Sequence, residues 1–151
     1  MSAHLNNVKN DLKKTNLKIK FIEYIMEKIL ECVRRVNEEL GNHYRENIYQ
    51  YALYVELNLQ RYLVQTEVMI PIHYKNVHVG FERADIVIYN PNGTIEYILE
   101  LKSQNSRLSS KEIMQLRKYL KNLSCNNGLL INFYENLEII KVNQETSSKI
   151  N

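Results

Sequence analysis

Asp85, Glu100 and Lys102 are the residues of this chain whose types and spacing carry the most chemistry. They lie in FERADIVIYNPNGTIEYILELK, residues 81–102, where two runs rich in Ile, Val, Leu and Tyr flank Pro91-Asn92-Gly93. Pro, Asn and Gly supply a turn, and β-branched and aromatic residues suit the strands on either side of it. A hairpin follows. Side chains alternate along a strand, so Asp85, Val87 and Tyr89 share one face, and so do Ile98, Glu100 and Lys102. With Asn90 pairing Ile95, Asp85 falls opposite Glu100 and Lys102 stands one step further on. Like charges facing each other oppose strand pairing by about 0.2–1 kcal/mol. A divalent cation between them reverses that sign. From these residues alone two readings stand: a half-solvated hairpin with its charges on the wet face, and a cation site.

The elements that must position these residues can be followed along the chain. Residues 1–18 are polar and rich in Lys and Asn, either a loose arm or a frayed first helix. From 19 to 40 apolar residues recur at helical spacing (Phe21, Ile22, Ile25, Ile29, Val33, Val36, Leu40), and Gly41-Asn42 stops that helix. A second helix is expected over 44–59, with Ile48, Ala52, Val55 and Leu59 facing inward. Glu46 and Tyr49 lie three apart on one side of it. Strands are expected over 64–74, 77–90 and 94–102. Pro71 argues for an edge position or a bulge in the first, Lys75-Asn76 forms a two-residue turn, and Gly80 marks a bend in the second. The three strands make an antiparallel meander. Ser109-x-x-Glu112 has the form of a capping box, opening a helix that runs to about Asn122. Its core face is Ile113, Leu116, Leu120 and Leu123, and Lys111, Gln115 and Tyr119 form a second stripe. Short strands over 128–133 and 137–142 follow. The order is ααβββαββ, an α/β layered domain over 19–143 with a polar tail over 144–151.

Composition sets outer bounds. The chain of 151 residues is 44% hydrophobic and 25% charged, ordinary for one globular domain with a real core. No apolar run is long enough to cross a bilayer, and residues 1–14 lack the apolar stretch of a secretory signal. The expected setting is therefore intracellular and soluble. Cys32 and Cys125 are too few for a disulfide framework and lack metal-ligand spacing, which points to buried free thiols. A net charge of +3 and a pI near 8.8 are compatible with a polyanionic partner without demanding one. The sequence has no Gly-rich phosphate loop, no Ser/His/Asp pattern and no zinc spacing. His73 and His78 lie on the meander with no partner that suggests chemistry.

Four features together resemble the PD-(D/E)XK nuclease superfamily, and within it the GxxExxY group. LGNHYRENIYQYALYVEL, residues 40–57, is similar to that group's helix entry, with Gly41, Glu46, Tyr49, Ala52 and Leu53 in place. RAD at 83–85 precedes Glu100-Leu101-Lys102. Gln115-x-x-x-Tyr119 is like the QxxxY element of RecB-type nucleases, and GLLINF at 128–133 completes the set. Two departures stand out. His43 replaces the group's second Gly, which leaves the local turn open and raises the question whether His43 points at the site. Ala84 takes the place of the Pro in the superfamily's name.

The resemblance implies a restriction-endonuclease-like core with a central mixed sheet, and a phosphodiesterase dependent on Mg²⁺ or Mn²⁺. Divalent ions held by carboxylates can activate water, neutralise phosphate and assist the leaving oxygen. It implies Asp85, Glu100 and the Leu101 carbonyl as inner ligands, with Glu46 completing the site directly or through water. Lys102 is implied to position or help deprotonate the water and to stabilise developing charge. Gln115 and Tyr119 are implied to brace Lys102 or the substrate phosphate. Arg83, Lys111 and Lys118 are candidate contacts to nucleic-acid backbone, beside a face that also carries Arg117 and Lys121. The expected partner is nucleic acid, DNA before RNA, with no membrane; a homodimer is left open. Two functional classes follow: a nuclease of repair or structure-specific type, and a non-catalytic nucleic-acid-binding or interaction module on the same fold.

Overall fold

The computed structural model describes residues 2–151. The chain divides into two compact units, which meet between Arg35 and Val36. The first is helical throughout its described residues. Helix α1 runs from Ser2 to Leu40 without interruption, so it takes in residues 2–18 of the expected polar arm; Met1 lies outside the described residues. No Gly or Pro occurs before Gly41, so no residue breaks the helix earlier. Gly41 ends it with φ +67, a left-handed value that glycine adopts freely, and its N–H reaches back to Asn37 O at 2.9 Å. Ile29, Val33 and Val36 are buried as their spacing suggests, but Phe21 is 57% exposed.

The second unit holds helix α2 (Glu46–Leu59), a six-stranded sheet and helix α3 (Ser110–Asn122). The strands are β1 (Leu63–Tyr74), β2 (Val77–Tyr89), β3 (Ile95–Lys102), β4 (Gly128–Asn132), β5 (Glu138–Val142) and β6 (Ser147–Ile150). They lie side by side in chain order. Only β3 and β4 run parallel, with α3 as the crossover between them; every other neighbouring pair is antiparallel. This is the expected α/β order with one strand added, because residues 144–151 are more than a polar tail: β6 pairs with β5.

The meander is built as its turn chemistry suggests. β1 is an edge strand, a position where proline such as Pro71 is tolerated. Lys75 and Asn76 both have positive φ, the two-residue turn suited to a hairpin, and the β1–β2 register shifts at Ile72/His73, near Gly80. Between β2 and β3 the pairs are Ile86↔Leu99, Val87↔Ile98 and Ile88↔Tyr97, as expected, but the end differs. Tyr89, not Asn90, faces Ile95. Asn90 has left the ladder because its side chain does local work: Oδ1 accepts the N–H groups of Asn92 and Thr94. Such Asx turns compete with strand pairing.

Helices α2 and α3 cover the sheet. Leu116, Tyr119 and Leu120 of α3 pack with Val87, Ile98, Leu130, Ile140 and Val142. The capping box is present, with Ser109 N–H donating to Glu112 Oε2 at 2.8 Å. A Cβ on Gly128 would lie 3.1 Å from side-chain carbons of Leu116 and Leu120 and from Val142 O, a tight fit that favours glycine where α3 approaches β4. Helix α2 presents the opposite stripe from the one expected. Tyr49, Gln50, Leu53 and Leu57 are buried, whereas Ile48, Val55 and Leu59 are 43%, 41% and 70% exposed. The larger ring decides it: Tyr49 stacks on Phe133, centroids 4.6 Å apart and planes within 4°. Cys32 and Cys125 are free and buried.

Candidate active site

Asp85 and Glu100 follow directly on the last rung between β2 and β3, Ile86↔Leu99, one residue outward on each strand. No main-chain rung is formed there. Instead the Leu101 N–H donates to Asp85 Oδ2 at 2.7 Å, so a side chain replaces the strand bond. Both carboxylates are buried, at 8% and 3% exposure. Lys102 Nζ donates to Glu100 Oε1 at 3.0 Å, whereas Glu100 Oε2 is buried without any hydrogen-bond partner. A buried carboxylate oxygen left unpaired is costly and calls for a cation or proton.

The electrostatics agree. Burial pushes Asp85 up to about 6, although the Leu101 N–H opposes it and Glu46 adds to it. Burial, and then the neighbouring Asp85, push Glu100 up to about 7, against the pull of Lys102. Burial also disfavours the charge on Lys102, but Glu100 outweighs it with help from Glu46 and Asp85, and the pKa of Lys102 is raised. Lys102 therefore stays an ammonium at neutral pH.

Glu46 is the first residue of α2 and half-buried. Burial raises its pKa, Lys102 lowers it and Glu67 raises it, so it belongs to the same cluster of charges. The loop that delivers it is fastened at both ends. Tyr49 Oη donates to Gly41 O at 2.7 Å and accepts the Tyr44 N–H at 3.3 Å, while Ser103 Oγ, next to Lys102, donates to Tyr44 O at 2.6 Å. This explains Gly41 and Tyr49 together: the one makes the turn and the other ties it down. His43 has φ +72, a conformation that suits glycine, and its ring meets Tyr134 edge-on at 5.1 Å.

Gln115 Nε2 donates to Tyr119 Oη at 2.7 Å on α3. Burial, then Glu100, push the Tyr119 phenol up to about 12, so it remains neutral and close enough to feel the carboxylates. Lys111 and Lys118 are exposed on α3, and Arg83 pairs with Glu67 at 2.5 Å. Residues to which no motif assigns a role also hold the site. Asn132, paired with Lys102 across β3 and β4, is buried, accepts the Gln104 N–H and donates to Gln104 O, fixing the chain just after Lys102. Gln50 and Glu67 are hydrogen-bonded at 2.7 Å. No spacing rule points to these three; they become visible only when the strands are paired.

The family model of the PD-(D/E)XK nuclease superfamily matches residues 23–142. The chain belongs to that superfamily. The match spans Glu46, Asp85, Glu100-Leu101-Lys102 and Gln115-x-x-x-Tyr119. The mixed sheet flanked by helices is a restriction-endonuclease-like fold. Among solved structures, the crystal structure of SSO0001 is similar, with a TM-score of 0.53 and 22% identity over 67% of this chain. The matched part is 51% of that protein, so this chain corresponds to about half its length, and the likeness is one of fold. No curated protein matches the chain. Among the described residues, no helix is long and apolar enough to cross a membrane.

PD-(D/E)XK nucleases generally use divalent metal ions. The residues here fit one: two adjoining buried carboxylates, raised in pKa, with a free oxygen on Glu100. Among the described residues no group of three His, Cys, Asp or Glu side chains is placed to hold a metal. Mg²⁺ suits such a site, since it takes one or two carboxylates and fills its remaining positions with water and phosphate.

Proposed function

We propose that this superfamily member is a divalent-metal-dependent nuclease that hydrolyses phosphodiester bonds in DNA, and that it recognises the structure of its substrate rather than its sequence. The observation that carries this reading is the unpaired, buried Glu100 Oε2 beside Asp85. Asp85, Glu100 and the Leu101 carbonyl would hold Mg²⁺ or Mn²⁺, with Glu46 reaching it directly or through water. When bound, the ion supplies charge neutralisation at phosphate and a more acidic water.

The chain's own side chains do the rest. Lys102, held by Glu100, would position or help deprotonate the attacking water and stabilise negative charge as it develops. Tyr119, neutral and held by Gln115, braces Lys102 or the substrate phosphate as a hydrogen-bond donor. Lys111 and Lys118 offer exposed charge to the nucleic-acid backbone. DNA is favoured over RNA by the likeness of Gln115-x-x-x-Tyr119 to the element of RecB-type nucleases.

A panel of labelled single-stranded, duplex, flap and branched DNA and RNA, with Mg²⁺ or Mn²⁺, tests the proposal. Lys102→Ala should lose cleavage by roughly 100-fold or more and keep its Mn²⁺ affinity by calorimetry. Glu100→Ala should lose both. Lys102→Arg should not restore cleavage, because a planar guanidinium does not replace a compact ammonium. Wild-type rates in Lys102→Ala would remove Lys102 from the mechanism. A wild type that cuts nothing and binds no Mn²⁺ would leave a non-catalytic binding module on the same fold.

A further inference from the structure

Glu67 belongs to none of the motifs, yet its backbone is the least ordinary in the sheet. It lies inside β1 with φ +56, a left-handed value that an L side chain rarely adopts in a strand. Its neighbours pair normally, Thr66 with Ile86 and Val68 with Ala84, so Glu67 occupies the position across from Asp85 where no rung forms. Two partners hold its carboxylate. Gln50 Nε2 donates to Oε1 at 2.7 Å, and Arg83 Nε pairs with Oε2 at 2.5 Å.

Each partner leads to the site. Gln50, 9% exposed, stands one turn beyond Glu46 on the same side of α2. Arg83 stands two residues before Asp85 on β2. One carboxylate thus links the helix that carries Glu46 to the strand that carries Asp85. Its charge is felt at both ends, raising the pKa of Glu46 and of Asp85. The hydrogen bond to buried Gln50 contributes to stability, but the other features of this arrangement do not. The Arg83 pair is 63% and 40% exposed, where ion pairs contribute little, and the left-handed backbone opposes folding.

We infer that Glu67 is a positioning residue which, through Gln50 and Arg83, sets Glu46 against Asp85 and so tunes the affinity of the site for a divalent cation. The inference rests on the nuclease reading above. Groups that orient metal-binding side chains from behind typically change metal affinity by about 10–100-fold when removed.

Glu67→Gly is the informative variant, because glycine accepts the left-handed backbone and folding is protected. It should melt at or above the wild-type temperature and yet bind Mn²⁺ about tenfold more weakly by calorimetry. Gln50→Ala should weaken Mn²⁺ to a similar degree, and the double variant should be no weaker than the worse single one. Glu67→Gln keeps an oxygen for Gln50 and should recover most of the affinity. Wild-type Mn²⁺ affinity in Glu67→Gly would overturn the inference and leave the nuclease reading untouched. Additive losses in the double variant would also overturn it, because the two residues would then act separately. A wild type that neither binds Mn²⁺ nor cuts nucleic acid would end the nuclease reading, and this inference with it.

Discussion

Val87 and Ile98 face each other across β2 and β3; two residues further along the same strands, on the same face, come Asp85 and Glu100. The first pair is fully buried with Leu116 and Leu120 of α3 around it, and the second is almost as buried. The same exclusion of water has opposite effects. It stabilises the aliphatic layer in proportion to the area covered, and it penalises charge on the carboxylate layer, raising Asp85 and Glu100 to about 6 and about 7. The comparison teaches that the aliphatic layer provides stability and the adjoining layer uses part of it to keep two carboxylates in an environment where a cation is wanted.

The largest effect expected is on the aliphatic side. Leu120→Ala should cost about 2–5 kcal/mol by denaturant titration, while the rise in melting temperature on adding Mn²⁺ survives. If that rise disappears as well, the two layers are not separable.

A second test is pH. The folded values of Asp85 and Glu100 lie above the ordinary 3.8 and 4.5, so between about pH 4 and 7 the folded protein holds more protons than the unfolded chain. The contribution of these two groups to metal-free stability should therefore be greatest at the acid end of that window and fall by several kcal/mol as pH rises through it. The gain from Mn²⁺ should run the other way, small at pH 5 and larger at pH 7.5, because a cation needs ionised carboxylates. Thermal melts with and without Mn²⁺ read both slopes, and parallel profiles would break the contrast.

The smallest effect sharpens it most. Asp85→Asn keeps an oxygen for the Leu101 N–H and removes one buried charge. The metal-free protein should be about 1 kcal/mol more stable at neutral pH, and most of the thermal gain from Mn²⁺ should vanish. A variant that is destabilised but still responds fully to Mn²⁺ would place Asp85 in the structural layer instead.

Much of this arrangement was legible in the sequence because local chemistry and tertiary packing agree. Pro71, Lys75-Asn76, Pro91-Asn92-Gly93 and the Ser109/Glu112 box each specify a turn or an end without reference to distant residues. They set the meander and the capped helix that bring Asp85, Glu100 and Tyr119 together. Where distant packing decides, sequence reasoning chose wrongly. Helix α2 carries two apolar stripes, and Phe133, far along the chain, selects the one with Tyr49. Ser147–Ile150 has little apolar content, and its strand exists because β5 offers an open edge. Gln50, Glu67 and Asn132 are ordinary polar residues in sequence. Their meaning lies in partners on other elements, which spacing does not reveal.

β6 has a consequence for solubility. Its outward edge is short and includes Ser147, Ser148 and Lys149, whereas the strand it covers, β5, reads Glu-Ile-Ile-Lys-Val with Ile139, Ile140 and Val142 buried. Without β6, β5 would become the margin of the sheet, presenting unpaired backbone groups along an apolar run of the sort that recruits strands from other molecules. The polar strand acts as a guard: it adds little to the core, but it keeps one sheet from continuing into the next.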